Sequence, residues 1–218
     1  MQHIQIEKTA DGSHTFFVPE LDEHYHSTNG AVTESKHVFI ENGLNQTDKK
    51  DISILEIGFG TGLNAILSYL EAKSKNICIH YTTIELYPIE ESQAKQLNFS
   101  DQTGIDSSIF NSLHSCEWGK DICIDSFFTL HKIKDDFTKR RFDRFFDLIY
   151  FDAFAPDKQP EMWTSEIFSH LFEQTASGGI LTTYCAKGSV RRMLQAAGYV
   201  TERLPGPPGK REMLRAQK

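Results

Sequence analysis

The chain has 218 residues, of which 39% are hydrophobic and 24% charged, with a net charge of −7. That length suits one domain with enough core to fold unaided, and no apolar run approaches the roughly 18–20 residues that cross a bilayer. The acid excess weighs against a general nucleic-acid binder, and the composition excludes a disordered or fibrous chain.

The opening Met-Gln-His-Ile-Gln-Ile-Glu7 has no charged-then-apolar leader pattern. Cys78, Cys116, Cys123 and Cys185 form no C-x-x-C pair and read as free thiols of a reducing compartment, so a cytoplasmic location is expected. Ile4 and Ile6, then Thr15 to Val18, alternate around Asp11-Gly12 and predict a hairpin. His24, His26 and His37 lack metal-ligand spacing, so no metal is expected. A short helix is predicted from Ala31 to Gly43, ended by Asn42-Gly43.

Ile52, Ile54, Leu55 and Ile57 predict a buried strand, and Leu63, Ile66, Leu67 and Leu70 repeat with helical spacing, predicting a helix over 61–72. Between them lie Gly58, Gly60 and Gly62. Strand, glycine turn and helix form the opening unit of a nucleotide-binding α/β domain, because glycine lets backbone pass close to a ligand. The spacing is G-x-G-x-G rather than the G-x-G-x-x-G that seats a pyrophosphate. Glu56 precedes the turn, and a carboxylate there favours a cation over a phosphate.

Ile77 to Glu85 is a β-branched run ending in a carboxylate 27 residues past Gly58. That is where a ribose hydroxyl pair needs an acceptor. Pro88 predicts a helix start, with Ile89, Ala94 and Leu97 as its apolar face, and a short helix is predicted over Ile109–Leu113. A third strand, Thr129–Lys134, ends at Asp135-Asp136, and the paired acids leave the register open. Lys139, Arg140, Arg141 and Arg144 mix with Phe142, Phe145 and Phe146, which reads as a helix half in solvent and half in core.

Leu148 to Phe151 predicts a buried strand with Asp152 at its C-terminal end. A carboxylate after such a run is costly to bury without a purpose, and open parallel sheets bind ligands outside those ends. Trp163, Ile167, Phe168, Leu171 and Phe172 predict a helical core face, and Ile180 to Cys185 a fifth strand. Helix 189–197 places Val190, Met193, Leu194 and Ala197 inward and Arg191 and Arg192 outward, with Gly198 as cap. Tyr199–Leu204 and Glu212–Ala216 read as two last strands around Pro205-Gly-Pro-Pro-Gly209. From Lys187 to Lys218 there are eight basic residues against two acids, leaving the rest of the chain at −13; a basic end of this kind can hold phosphates locally.

Glu56-Ile-Gly-Phe-Gly-Thr-Gly62 resembles the first motif of the class I S-adenosylmethionine-dependent methyltransferases. A more specific resemblance lies in Tyr25-His-Ser, Gly30-Ala31, Glu34-Ser35, His37-Val-Phe39 and Gly58-Phe-Gly-Thr-Gly-Leu-Asn64. It continues in Asp152-Ala-Phe-Ala-Pro-x-Lys-x-Pro-x-Met-Trp163, Val190-Arg-Arg192 and Gly209-Lys-Arg-Glu-Met-Leu214. Together these are similar to the methyltransferase half of the tRNA 5-methylaminomethyl-2-thiouridine biosynthesis enzymes (MnmC) and its stand-alone form (MnmD). The resemblance implies an α/β, three-layer Rossmann-like fold with a mostly parallel seven-stranded sheet and an antiparallel last strand. It implies a single methyltransferase domain over 1–218, with 1–45 as a hairpin-and-helix extension over the cofactor site. The implied reaction is S-adenosylmethionine-dependent methylation of the aminomethyl group of 5-aminomethyl-2-thiouridine at the tRNA wobble position. FAD is not expected, and a separate enzyme would supply the aminomethyl group.

For the cofactor the resemblance implies Glu34, Glu56, Gly58, Phe59, Gly60, Gly62, Asn64, Glu85, Asp136 and Asp152. Asp152 would also be catalytic, orienting the amine or taking its proton. Phe154 would stack on the flipped base, while Lys187, Arg191, Arg192, Lys210 and Arg211 would hold phosphates of the anticodon stem-loop. The alternative expectation is a class I methyltransferase acting on a small-molecule or protein amine.

Overall fold

The structure is a computed structural model that describes residues 4–218. It opens with a three-stranded antiparallel sheet: β1 (Gln5–Lys8), β2 (His14–Val18) and the short β3 (Glu23–His24). The predicted hairpin is therefore present over its described residues. Asp11 in its turn accepts from the Ser13 amide and, across the chain, from the Thr33 amide at 2.9 Å. That carboxylate ties the hairpin to the start of α1 (Ala31–Ser35). The helix runs on through a wider π-helical turn, Lys36–Glu41, and stops where the Asn42 side chain donates to the His37 carbonyl.

The main sheet begins with β4 (Asp51–Ile57), followed by α2 (Leu63–Lys75) and β5 (Cys78–Glu85). Three short helices follow: α3 (Glu91–Ala94), α4 (Phe99–Thr103) and α5 (Ser107–Ser115). The single helix expected after Pro88 is thus broken. Asn98 explains the break: its side chain accepts from the His14 amide and donates to the Gly12 carbonyl, docking the hairpin instead of continuing a helix.

Then come β6 (Asp121–Asp125), β7 (Phe128–Lys134), β8 (Phe146–Phe151), α6 (Ser165–Gln174), β9 (Thr175–Thr183), α7 (Gly188–Ala197), β10 (Val200–Pro205) and β11 (Glu212–Gln217). The sheet order is β10-β11-β9-β8-β4-β5-β7-β6. β7, β5, β4, β8 and β9 are parallel, and β11 inserts antiparallel between β9 and β10. This is the expected seven-stranded arrangement with an eighth strand, β6, paired antiparallel on the edge of β7. The sequence of β6, Asp-Ile-Cys-Ile-Asp, carries little strand signal because it is short and acid-flanked, as edge strands often are.

Alternation along the strands separates two cores. Ile52, Ile54, Tyr81, Leu130, Leu148 and Tyr150 face α2, α5 and the first helical segment. Leu55, Ile57, Ile84, Ile149, Phe151 and Leu181 face α6 and α7. The result is three layers. The predicted helix around Lys139–Phe146 does not form. Asp136 instead accepts from the Thr138 amide and its carbonyl takes the Lys139 and Arg140 amides, so the chain turns before Phe146 enters β8. Among the described residues no helix is long and apolar enough to cross a membrane.

Candidate functional site

A cavity of about 580 Å³ lies at the C-terminal ends of β4, β5, β7 and β8. Its floor is the glycine turn. Gly58 has φ +92, and a Cβ there would meet the Asp152 carbonyl oxygen at 2.9 Å. Gly60 has φ +49, and a Cβ would lie 3.0 Å from the Tyr25 ring. These two positions need glycine both for conformation and for space. The turn also fixes where α2 starts, at Leu63, because Gly62 stays left-handed.

Asp152 follows β8, and its amide donates to the Ile57 carbonyl at 3.2 Å. Asn64, the second residue of α2, donates from Nδ2 to its Oδ2 at 2.8 Å. Removal from water by the surrounding walls pushes the Asp152 carboxyl up to about 7; the Asn64 hydrogen bond and Lys210 pull it down, and Glu34 pushes it up. The segment after it is held in three places. Trp163 Nε1 donates to the Phe154 carbonyl at 2.7 Å, Tyr184 OH donates to the Ala153 carbonyl at 2.9 Å, and the Gln159 side chain accepts from the Phe154 amide. Phe154 meets Tyr25 edge to face, with centroids 5.3 Å apart.

Glu85 ends β5 in the cavity wall. One carboxylate oxygen accepts from the Gly60 amide at 3.1 Å and the other from the Tyr87 amide at 2.9 Å. Burial raises its proton affinity, and these backbone donors oppose that. The N-terminal segment crosses the glycine turn. His26 Nε2 lies 2.6 Å from Thr61 Oγ1, and burial lowers this imidazole to about 4, so it is neutral at pH 7. Glu34 is buried; its Oε2 accepts from the Ser27 amide and its Oε1 pairs with Lys210 Nζ at 2.6 Å.

Of the residues singled out by sequence, Glu34, Gly58, Phe59, Gly60, Asn64, Glu85, Asp136, Asp152, Phe154 and Lys210 line the cavity. Glu56 does not. It shares the Ile52 and Ile54 face of β4, is fully buried, and is held well above the carboxylate range by that burial, so it offers no charge to a ligand. Gly62 packs against His114 and Phe59 instead of the cavity. Asp136 reaches the wall, but its oxygens already serve Thr138 and Lys139. The basic residues divide. Lys210, half-buried, lines the cavity, with Nζ 3.8 Å from the Tyr184 ring centroid. Lys187 pairs with Asp157 at 2.5 Å. Arg192 and Arg211 are exposed and Arg191 half-buried, all outside the cavity lining.

Tyr25, His26 and Tyr184 were not assigned roles by the sequence, yet all three line the cavity. Tyr184 follows β9 as Asp152 follows β8, so the strand-end rule could have found it. Tyr25 and His26 stand out in the sequence only through the Tyr25-His-Ser resemblance, because they reach the cavity through the hairpin's docking. Among the described residues no group of three or more His, Cys, Asp or Glu is arranged to hold a metal.

The family model described as S-adenosyl-L-methionine-dependent methyltransferase matches residues 130–218. The chain is 30% identical to a tRNA 5-methylaminomethyl-2-thiouridine biosynthesis bifunctional protein MnmC from Actinobacillus pleuropneumoniae serotype 5b, over 91% of the chain and 33% of that protein. It is 28% identical to the protein of the same name from Pseudomonas fluorescens Pf-5, over 90% of the chain and 32% of that protein. The chain thus spans about a third of the length of these curated relatives. It superposes on the crystal structure of MNMC2 from Aquifex aeolicus with a TM-score of 0.80 and 25% identity, covering 99% of this chain and 70% of that one. Spermidine synthase from Thermotoga maritima shares the fold, with a TM-score of 0.60 at 13% identity, over 99% of this chain and 72% of that one.

Proposed function

We propose, from the chain's similarity to S-adenosyl-L-methionine-dependent methyltransferases, that it belongs with them and methylates the primary amine of 5-aminomethyl-2-thiouridine at the wobble position of tRNA. The observation that carries the amine is Asp152: a carboxylate at a strand end, facing a cavity, aligned by Asn64 and with raised proton affinity. The similarity to the tRNA 5-methylaminomethyl-2-thiouridine biosynthesis proteins supports the tRNA substrate.

The cavity suits the donor. Glu23, Glu34, Glu85, Asp135, Asp136, Asp152 and Glu161 face it against Lys158 and Lys210, a balance that favours a cationic ligand over a phosphate. Gly58 and Gly60 clear room where a Cβ would collide; in this reading Glu85, at the cavity wall, accepts from a ribose diol, and Asp136 or the adjacent Asp135 from the adenine edge. S-adenosylmethionine supplies an activated methyl group on a sulfonium. The chain's own residues do the rest. Asp152 orients the amine and takes its proton, Asn64 holds Asp152 in one rotamer, and Phe154 and Tyr25 offer aromatic faces to the extruded base. The segment before residue 45 acts as a cover, with Tyr25 against Gly60 and His26 against Thr61. Arg191, Arg192 and Arg211 hold phosphates, and a separate catalytic unit supplies the aminomethyl group.

The test is mass spectrometry of nucleosides from hypomodified tRNA incubated with the protein and donor. A gain of one methyl on 5-aminomethyl-2-thiouridine is expected, and Asp152→Ala should slow it by about 10²–10⁴-fold. A wild-type rate for that variant would remove Asp152 from the chemistry. The second reading, a small-molecule or protein amine, draws support from the ion pairs that already engage Lys187 and Lys210. Methylation of free alkylamines with no change on tRNA would favour it.

A further inference from the structure

The turn between β10 and β11 is braced from several sides. His37 donates from Nε2 to the Pro205 carbonyl at 2.8 Å, and the Gly206 amide donates to the Arg211 carbonyl. Gly209, at φ +84, packs so closely on Asn29 that a Cβ there would lie 2.1 Å from Asn29 Nδ2. The bracing sends the next side chain, Lys210, inward. Its ammonium is held by the Glu34 carboxylate at 2.6 Å and by the face of Tyr184 at 3.8 Å. Tyr184 in turn donates to the carbonyl of Ala153, next to Asp152. A flexible lysine is thus held as a point charge in the cavity wall, where it also neutralises the buried Glu34 carboxylate.

We propose that Lys210 is a second functional group of the acceptor site: a cation delivered by the β10–β11 turn, held between Glu34 and Tyr184, that faces the incoming amine together with Asp152 and favours its uncharged form. The inference rests on the amine reading above. In the step concerned, the lone pair of the neutral nitrogen forms a bond to the methyl carbon and the carbon–sulfur bond breaks, its electrons staying on sulfur. The nitrogen becomes positive and gives a proton to Asp152. An ammonium has no lone pair and cannot begin this step. A fixed positive charge beside the nitrogen disfavours the ammonium and also favours the ionised, proton-accepting form of Asp152.

Asp152 is faced by Glu34 from α1, Glu56 from β4, Asn64 from α2, Tyr81 from β5, Tyr184 after β9 and Lys210 from the last turn. Of the charged pair, Glu34 raises its proton affinity and Lys210 lowers it. The two partners of one ion pair therefore act in opposite directions on a third group, which separates an electrostatic role from a bracing one. Lys210→Met and Glu34→Gln break the same bond. If the pair only braces the turn, both variants lose stability alike and the Asp152 midpoint moves the same way or not at all.

The experiment follows the Asp152 carboxyl by carbon-13 NMR against pH in the free protein, and the acid limb of kcat/KM with hypomodified tRNA. Lys210→Met should raise the midpoint and move the limb to higher pH by about one unit, and Glu34→Gln should lower both. Lys210→Arg, which keeps the charge, should restore the wild-type profile. Shifts of one sign in both variants, or none, overturn the proposal, as does an unmoved acid limb beside a moved midpoint. The Glu34→Gln and Lys210→Arg arms decide the matter if Lys210→Met fails to fold. Opposed midpoints in a protein that leaves tRNA unmethylated would instead overturn the substrate reading and confirm the charge arrangement.

Discussion

Replacing Asp152 by Asn should stabilise the protein, and only at high pH. In the fold the Asp152 carboxyl is raised to about 7 from an ordinary 3.8, chiefly by removal from water. A carboxyl raised in the fold contributes its full stability below its unfolded value, and that contribution is lost as pH rises through the folded one. Above about pH 7 the native protein holds a charge that the unfolded chain would solvate better. The gap of about three pH units sets a ceiling of about 4 kcal/mol at about 1.4 kcal/mol per unit. Asp152 is only half-buried in the cavity wall, so roughly half of that, about 2 kcal/mol, is the expected magnitude. Asn keeps an oxygen for the Asn64 donor and carries no charge, so packing and the hydrogen bond survive. Urea unfolding at pH 4, 7 and 9 measures the effect. The two proteins should match at pH 4, and the variant should lead by about 2 kcal/mol at pH 9. A difference that is constant across pH, or a variant less stable at pH 9, refutes the reasoning.

Gly58→Ala forces a left-handed residue to carry a Cβ against the Asp152 carbonyl at 2.9 Å, and neither backbone atom can swing away. It should cost about 1–2 kcal/mol of stability from conformation alone, and about 10²-fold in kcat/KM because Asp152 moves with its carbonyl. Melting curves and methyl transfer check the two parts, and a full-rate variant contradicts the close approach. Arg191→Glu with Arg192→Glu should weaken tRNA binding and flatten the log–log salt dependence by about two if each arginine meets one phosphate. An unchanged slope takes α7 out of the contact surface.

The sheet was readable because its strands announce themselves. Ile52 to Ile57 and Leu148 to Phe151 are largely apolar runs, as strands buried on both faces are, and the cavity lining starts at Ile57 in the first and at Asp152, directly after the second. Asp152 and Glu85 followed from that rule with no tertiary information. Glu56 did not follow, because its neighbourhood in sequence and its direction in space disagree: one step along a strand reverses the side it faces. Lys210 shows a different limit. Charge counting placed it with the surface cations, whereas its direction depends on Gly209 meeting Asn29 from the far end of the chain. The helix expected after Pro88 failed for the same reason, since Asn98 answers to the hairpin and not to its own neighbours.

β11 lies between β9 and β10, although it is made after both. A growing chain emerging from the ribosome must therefore hold that slot open, with β10 lacking any neighbour in the sheet, until residues 212–217 arrive. The cavity-lining ends of β4, β5 and β8 are all made well before then. Lys210, which lines the same cavity, comes only with the turn ahead of β11, so the charge lining of the cavity is completed late in the order of synthesis.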